Sequence, residues 1–165
     1  MKLFHASSVI IEHPDVVHSR RKLDFGQGFY LTSIYEQARK YTARFLIRGK
    51  KAYINEYLLD SDLTGFNVKR FETYDEEWLD FVSSNRKGEQ NHSFDLVEGG
   101  IANDKVFNTI DLYFSGLINK QEALGRLSFE HPNHQICILN QEIINQHLHF
   151  VSAEEILKED SHHAG

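Results

Sequence analysis

The octapeptide Phe25-Gly26-Gln27-Gly28-Phe29-Tyr30-Leu31-Thr32 constrains this chain more than any other stretch. Its two glycines permit positive φ or a close backbone approach, and the residues after them alternate as in a short strand. From Ile34, apolar side chains recur at Ala38, Tyr41 and Phe45, spacings of four, three and four that share one helical face, with Ser33 as candidate N-cap. Gly49 predicts the stop of that helix. A glycine turn, a strand and an amphipathic helix thus follow one another and carry Tyr30 and Tyr41 eleven residues apart. The pattern is no dinucleotide fingerprint, because Leu31 stands where G-x-G-x-x-G needs its third glycine.

The rest of the chain reads as strands separated by helices of unequal length. Lys2 to His5 predicts a first strand ended at Ser7-Ser8, followed by a polar loop rich in His and Arg up to Asp24. Ala52 to Leu59 alternates as a strand, Thr73 is a candidate cap for a helix through Trp78 and Phe81, and Asp95-Leu96-Val97 predicts a strand running into Gly99-Gly100. Val106, Ile110 and Tyr113 share a helical face, Lys120 to Leu127 predicts a further helix, and Gln135 to Leu139 a buried strand. A helix at Gln141 to Gln146, a strand at His147 to Val151 and a helix opened by a Ser152-x-x-Glu155 capping box complete the expectation. No regular βαβ rhythm appears, so the class is a mixed α+β fold rather than a doubly wound parallel sheet. At 165 residues, with no repeat and no linker-like stretch, a single domain over residues 1–160 with a flexible tail at 161–165 is expected.

Composition narrows the function classes. The formal charge of −6 argues against general polyanion binding. Locally, Arg39, Lys40, Arg44, Arg48, Lys50 and Lys51 form a basic run, read either as a solvated helix face or as a patch for a pyrophosphate or an acidic partner. Cys137, the one cysteine, lies in an apolar run and reads as a buried structural thiol, which fits a reducing cytoplasm. No apolar stretch approaches membrane-spanning length, and the first residues lack a signal peptide's apolar core, so a soluble cytoplasmic protein with no membrane partner is expected. Ten histidines include His147-Leu148-His149, His131-Pro132-Asn133-His134 and His162-His163, yet none supplies three ligands at a recognised metal spacing. No G-x-S-x-G nucleophile elbow occurs either. Neither a metal nor a serine-hydrolase site is expected.

Tyr30 and Tyr41 offer two aromatic faces, and a flat cationic ring such as nicotinamide gains roughly 0.5–2 kcal/mol per face in a desolvated clamp. His5, Tyr30 and Gln135 line up, in order and context, with a known arrangement. They resemble the His-Tyr-Glu class of ADP-ribosyltransferases, the group of diphtheria-toxin-like and poly(ADP-ribose) polymerase-like catalytic domains. More narrowly, Leu3-Phe4-His5-Ala6-Ser7, Leu23 to Thr32, Phe94-Asp95-Leu96-Val97 and Ala102-Asn103-Asp104 resemble a bacterial family, DUF3990, of that superfamily. The resemblance covers nearly the whole chain.

The resemblance implies an ADP-ribosyltransferase-like fold of split mixed β-sheets with flanking helices, and NAD as substrate without a metal. It implies that His5 hydrogen-bonds a ribose hydroxyl, that the backbone at Ala6 and Ser7 holds the carboxamide, and that Tyr30 and Tyr41 sandwich the nicotinamide, with Gly28 beside them. Gln135 stands at the family's glutamate position, where it can hydrogen-bond the 2′-hydroxyl but brings no charge. The loss of such an electrostatic element commonly costs about 10²–10³ in rate. Asp104, Asp95 or Glu98, grouped around Gly99-Gly100, are candidate replacement carboxylates, with Asn103 offering an amide. Each also has an ordinary reading as a turn or cap residue. His5 reads equally as a packed histidine, Tyr41 as core and Gln135 as a strand start. The chain departs from its relatives at Ala6, where they usually carry glycine, and at Glu98 and Gly100, where they tend to carry an apolar residue and a proline.

The expected activity is therefore NAD-dependent mono-ADP-ribosyl transfer to an unidentified macromolecular acceptor, a protein or a nucleic acid, by a toxin or a regulatory enzyme. A toxin would need an antitoxin-like inhibitor. The alternatives are an NAD glycohydrolase and a catalytically impaired module that binds NAD or ADP-ribose.

Overall fold

A computed structural model describes residues 1–90, 92–100, 104–130 and 133–158. Its elements run β1 (Lys2–Ser7), β2 (Phe29–Leu31), α1 (Tyr35–Ile47), β3 (Tyr53–Leu59), β4 (Val68–Arg70), α2 (Glu76–Arg86), β5 (Leu96–Gly99), α3 (Asp104–Phe114), α4 (Lys120–Leu127), β6 (Gln135–Ile138), α5 (Gln141–His147) and β7 (Leu148–Glu155). Among the described residues, two sheets and five helices make the α+β class expected from the sequence. Among the described residues no helix is long and apolar enough to cross a membrane. The tail at 161–165 and His162-His163 lie outside the described residues.

The chain divides into two compact units interleaved in sequence. The first holds Met1–Asp15, Tyr30–Gly65 and the described part of Asn140–Gly165; the second holds Val16–Phe29 and the described part of Phe66–Leu139.

In the first unit, β1 and β7 flank β3 in an antiparallel three-stranded sheet. Helix α1 packs on β1 and β3 around a core of Phe4, Ala38, Ala52, Ile54 and Ile156, joined by Tyr35, Phe45 and Leu46. The apolar spacing read from the sequence makes this contact, but the helix starts one residue beyond expectation: Ile34 is the N-cap and gives no side-chain cap bond. The stop at Gly49 follows its chemistry. With φ at +72°, Gly49 donates to the Leu46 carbonyl while Lys50 donates to that of Phe45, which closes a Schellman motif.

Ser152 to Glu155, expected to open a helix, instead extend β7, pairing Ser152 with Glu56 and Glu154 with Ile54. Tertiary partners override the capping signature. Tyr35 donates its hydroxyl to Glu154, and the Ile156 amide donates to Ala52 while its side chain enters the core. Burial, with Glu154 second, pushes the Tyr35 phenol up to about 12.

In the second unit the sheet order is β6-β5-β4, with β4 parallel and β6 antiparallel to β5. Trp78, Leu79 and Val82 of α2 are buried, as are Ile110 of α3 and Leu96, Val97, Ile136 and Ile138 of the sheet. The N-cap of α2 is Asp75, which accepts from the Trp78 amide at 2.8 Å, rather than Thr73. Strand β4 is an addition to the expected elements, since its three residues carry no readable alternation. Phe25, Phe71 and Phe81 form an aromatic cluster with centroids 5.2–6.3 Å apart.

The glycine motif is explained largely within this unit. Gly26 takes φ of +93°, and Gln27 donates to the carbonyls of Val17 and Ser19, pinning the polar loop. Gly28 donates to Ser19 Oγ, and a Cβ there would lie 2.5 Å from Cys137 Sγ and 2.6 Å from the Ile138 carbonyl oxygen. Gly28→Ala is therefore expected to cost about 2–3 kcal/mol by overpacking. Differential scanning should show a midpoint lower by roughly 5–10 °C; an unchanged midpoint would contradict the packing account.

Candidate functional site

Two polar side chains, one in each unit, have their hydrogen-bonding chemistry fixed by backbone carbonyls. His5 lies on β1 opposite Asn55 of β3, and its Nδ1 stands 2.6 Å from the Tyr30 carbonyl oxygen. A carbonyl only accepts, so Nδ1 carries the proton and Nε2 is the acceptor nitrogen of the neutral ring. Desolvation lowers the His5 pKa, and the Tyr30 hydrogen bond opposes that shift without reversing it. The ring is neutral at pH 7.

Asn55 is the residue that sequence reasoning missed. It is buried, donates to the carbonyls of His5 and Val9 at 3.3 Å each, and accepts from the Ile11 amide at 2.9 Å. Tyr57 adds a hydroxyl bond to the Ile11 carbonyl at 2.5 Å. These bonds strap the segment after β1 to β3. Only the alternation of Ala52 to Leu59 hints at it, by putting a polar side chain at a core-facing position.

Ala6 and Ser7 continue β1 opposite Ile54 and Tyr53. Among the described residues only glycines have positive φ, so Ala6 bears no left-handed strain. Ser7 Oγ accepts from the Val9 amide at 3.3 Å. Tyr30 is half-buried on β2, and Tyr41 stands 46% exposed on α1. The Tyr41 ring meets Phe45 edge-on at 5.8 Å, with the Arg44 guanidinium 4.5 Å from its centroid. Tyr41 thus faces solvent rather than the core, and Lys40, Arg44, Arg48, Lys50 and Lys51 of the basic run are on the surface too.

In the second unit Gln135 opens β6 and is buried. Its Nε2 donates to Asp24 Oδ2 at 3.4 Å and to the Gly100 carbonyl at 3.3 Å. Asp24 receives Arg86 Nε on Oδ1 at 2.9 Å, and Asn85 Nδ2 on its backbone oxygen at 3.0 Å. The structure therefore brings a carboxylate to Gln135, and it is Asp24, which in the sequence marks only the end of a polar loop.

Two of the replacement carboxylates expected from sequence, Asp95 and Glu98, have other partners. Asp95 accepts from the Asn67 amide at 2.7 Å and, through its carbonyl, from the Leu139 amide at 2.9 Å. Glu98 lies within β5 rather than in a turn, holding His134 Nε2 at 2.8 Å and Arg70 Nε at 3.1 Å. The His134 bond keeps the Glu98 carboxyl below the ordinary range against desolvation, and Arg70 assists. Asp104 is the first residue of α3. Asn103, Ala102 and His131-Pro132 lie outside the described residues. Gly28, expected beside the ligand, packs closely against β6. Among the described residues no group of three His, Cys, Asp or Glu side chains is arranged to hold a metal.

The His5 shift has a sign. An unfolded imidazole titrates near 6.5 and takes a proton that the folded ring resists, so the contribution is full above about pH 6.5 and is lost as pH falls below it. His92, lowered by burial, acts in the same direction. Urea unfolding should show stability falling between pH 7 and 5, and His5→Gln should flatten part of that slope; an unchanged slope would contradict the buried neutral ring.

No curated protein and no solved structure matches the chain. One family model does, over residues 1–150, and its description is protein of unknown function, DUF3990. With strand-borne His5, the Phe25 to Thr32 stretch and β6 all inside that span, the chain belongs to the DUF3990 family.

Proposed function

We infer that the protein is an NAD-dependent mono-ADP-ribosyltransferase with an ADP-ribosyltransferase-like fold. The observation that carries this reading is the bond from His5 Nδ1 to the Tyr30 carbonyl, because it settles Nε2 as the lone-pair nitrogen, the kind of atom that accepts from a sugar hydroxyl. The first two residues of the His-Tyr-Glu resemblance thereby form one hydrogen-bonded unit.

The roles are those the family resemblance implies, and each is within the chemistry of its residue. In the first unit, His5 accepts from a ribose hydroxyl, the backbone of Ala6 and Ser7 holds the carboxamide, and Tyr30 and Tyr41 give their faces to the nicotinamide. Lys40 and Arg44, on the surface of α1 beside Tyr41, serve the pyrophosphate. For Gln135 the resemblance implies a hydrogen bond to the 2′-hydroxyl of the nicotinamide ribose. The bond between ribose C1′ and the nicotinamide nitrogen breaks, and its electron pair leaves with nicotinamide, which departs neutral. A lone pair of the acceptor forms the new bond at C1′, and the acceptor's proton passes to solvent. Water in place of the acceptor gives glycohydrolysis.

The test is nicotinamide release from NAD by purified protein, with cell lysate as acceptor pool. Wild type should release nicotinamide. Tyr41→Ala should raise the KM for NAD roughly 2–30-fold, the value of one aromatic face, and leave the thermal midpoint within about 2 °C because the ring is exposed. Binding of NAD in calorimetry without release would favour a catalytically impaired binding module; neither binding nor release would overturn the reading.

A further inference from the structure

We propose that Asp24 supplies the negative charge that Gln135 lacks, acting through the Gln135 amide as a positioning residue. This rests on the transferase reading, which it deepens.

Gln135 Nε2 faces two acceptors, the Asp24 carboxylate at 3.4 Å and the Gly100 carbonyl at 3.3 Å. Only an NH₂ group satisfies both, so the amide has one orientation and both its hydrogens are spent. The polar atom left to meet a ligand is Oε1, which no described residue hydrogen-bonds. A carboxylate behind the N–H groups polarises the amide and draws negative charge onto Oε1, strengthening it as an acceptor for a sugar hydroxyl.

Asp24 is rigidly mounted for this task. It is buried, Arg86 holds its second oxygen, Asn85 holds its carbonyl, and the Arg86 guanidinium lies 3.6 Å from the Phe107 ring centroid. The arrangement also explains why glutamine occupies position 135. A glutamate would put a second carboxylate oxygen about where Nε2 stands, against Asp24 Oδ2 and the Gly100 carbonyl, and two carboxylates so close share one proton instead of both ionising. One charge is kept, on residue 24 rather than residue 135.

Asp24→Asn, Gln135→Glu and the double variant test the pair, with kcat and KM for nicotinamide release measured from pH 5 to 9. Asp24→Asn should lower kcat about 10–100-fold with KM within about threefold of wild type. Gln135→Glu alone should show kcat rising with pH through a pKa above the ordinary carboxylate range, because its carboxyl shares a proton with Asp24. The double variant exchanges the two groups, so that an amide at position 24 donates to a carboxylate at position 135; it should lose that pH limb and recover kcat to within about tenfold of wild type. Should Asp24→Asn fail to fold, with Arg86 left uncompensated, the Gln135→Glu profile decides alone: the rising limb supports the pair, and a wild-type-like profile overturns it. Unchanged kcat in Asp24→Asn, or a double variant no better than the singles, also overturns it while leaving the transferase reading intact. Wild type silent toward NAD overturns both.

Discussion

The Tyr30 carbonyl decides what His5 is. Without that acceptor the imidazole could carry its proton on either nitrogen, and burial would set only its charge. With it the ring is one tautomer, neutral, fixed against β2, with Nε2 as acceptor. The sheet of the first unit serves this pairing: β1 and β3 run antiparallel with Asn55 opposite His5, and Asn55 bonds His5 itself once and the segment after β1 twice. Losing one partner of a buried network leaves the others desolvated and unpaired, at about 1–3 kcal/mol per group.

The second unit applies the same logic to an amide. The Gly100 carbonyl and the Asp24 carboxylate set the orientation of Gln135, as the Tyr30 carbonyl sets the tautomer of His5. In both cases an acceptor held in place by the fold removes an ambiguity that the side chain has on its own. Gly28 belongs to the same economy of space, since any side chain there would meet Cys137 and the Ile138 carbonyl on β6. In the fold the glycines of this motif seat a loop and a strand.

The parts of the fold legible in sequence are those with local causes. Gly49 ends α1 because a left-handed residue closes that motif, Lys120 to Leu127 forms the expected helix, and the apolar run after Gln135 is a buried strand. Where long-range pairing decides, local signals fail. Ser152-x-x-Glu155 carries a helix signature, yet β3 offers these residues an edge and Tyr35 offers Glu154 a donor. The three residues of β4 have no pattern and exist only through β5. At the candidate site, His5, Tyr30 and Gln135 stand out through a resemblance rather than through periodicity. Asp24 is invisible in sequence because its partners Arg86 and Gln135 lie 62 and 111 residues away.

Transfer from NAD, as proposed, requires His5 to be a neutral ring protonated on Nδ1, with Nε2 accepting from a sugar hydroxyl. Long-range ¹⁵N–¹H NMR of the imidazole at pH 7, with and without NAD, reads this directly. The account predicts an Nδ1–H tautomer in the free protein and a shift confined to Nε2 when NAD is added, with the Nδ1 proton retained. An imidazolium, an Nε2–H tautomer, or a ring that does not respond to saturating NAD would contradict it.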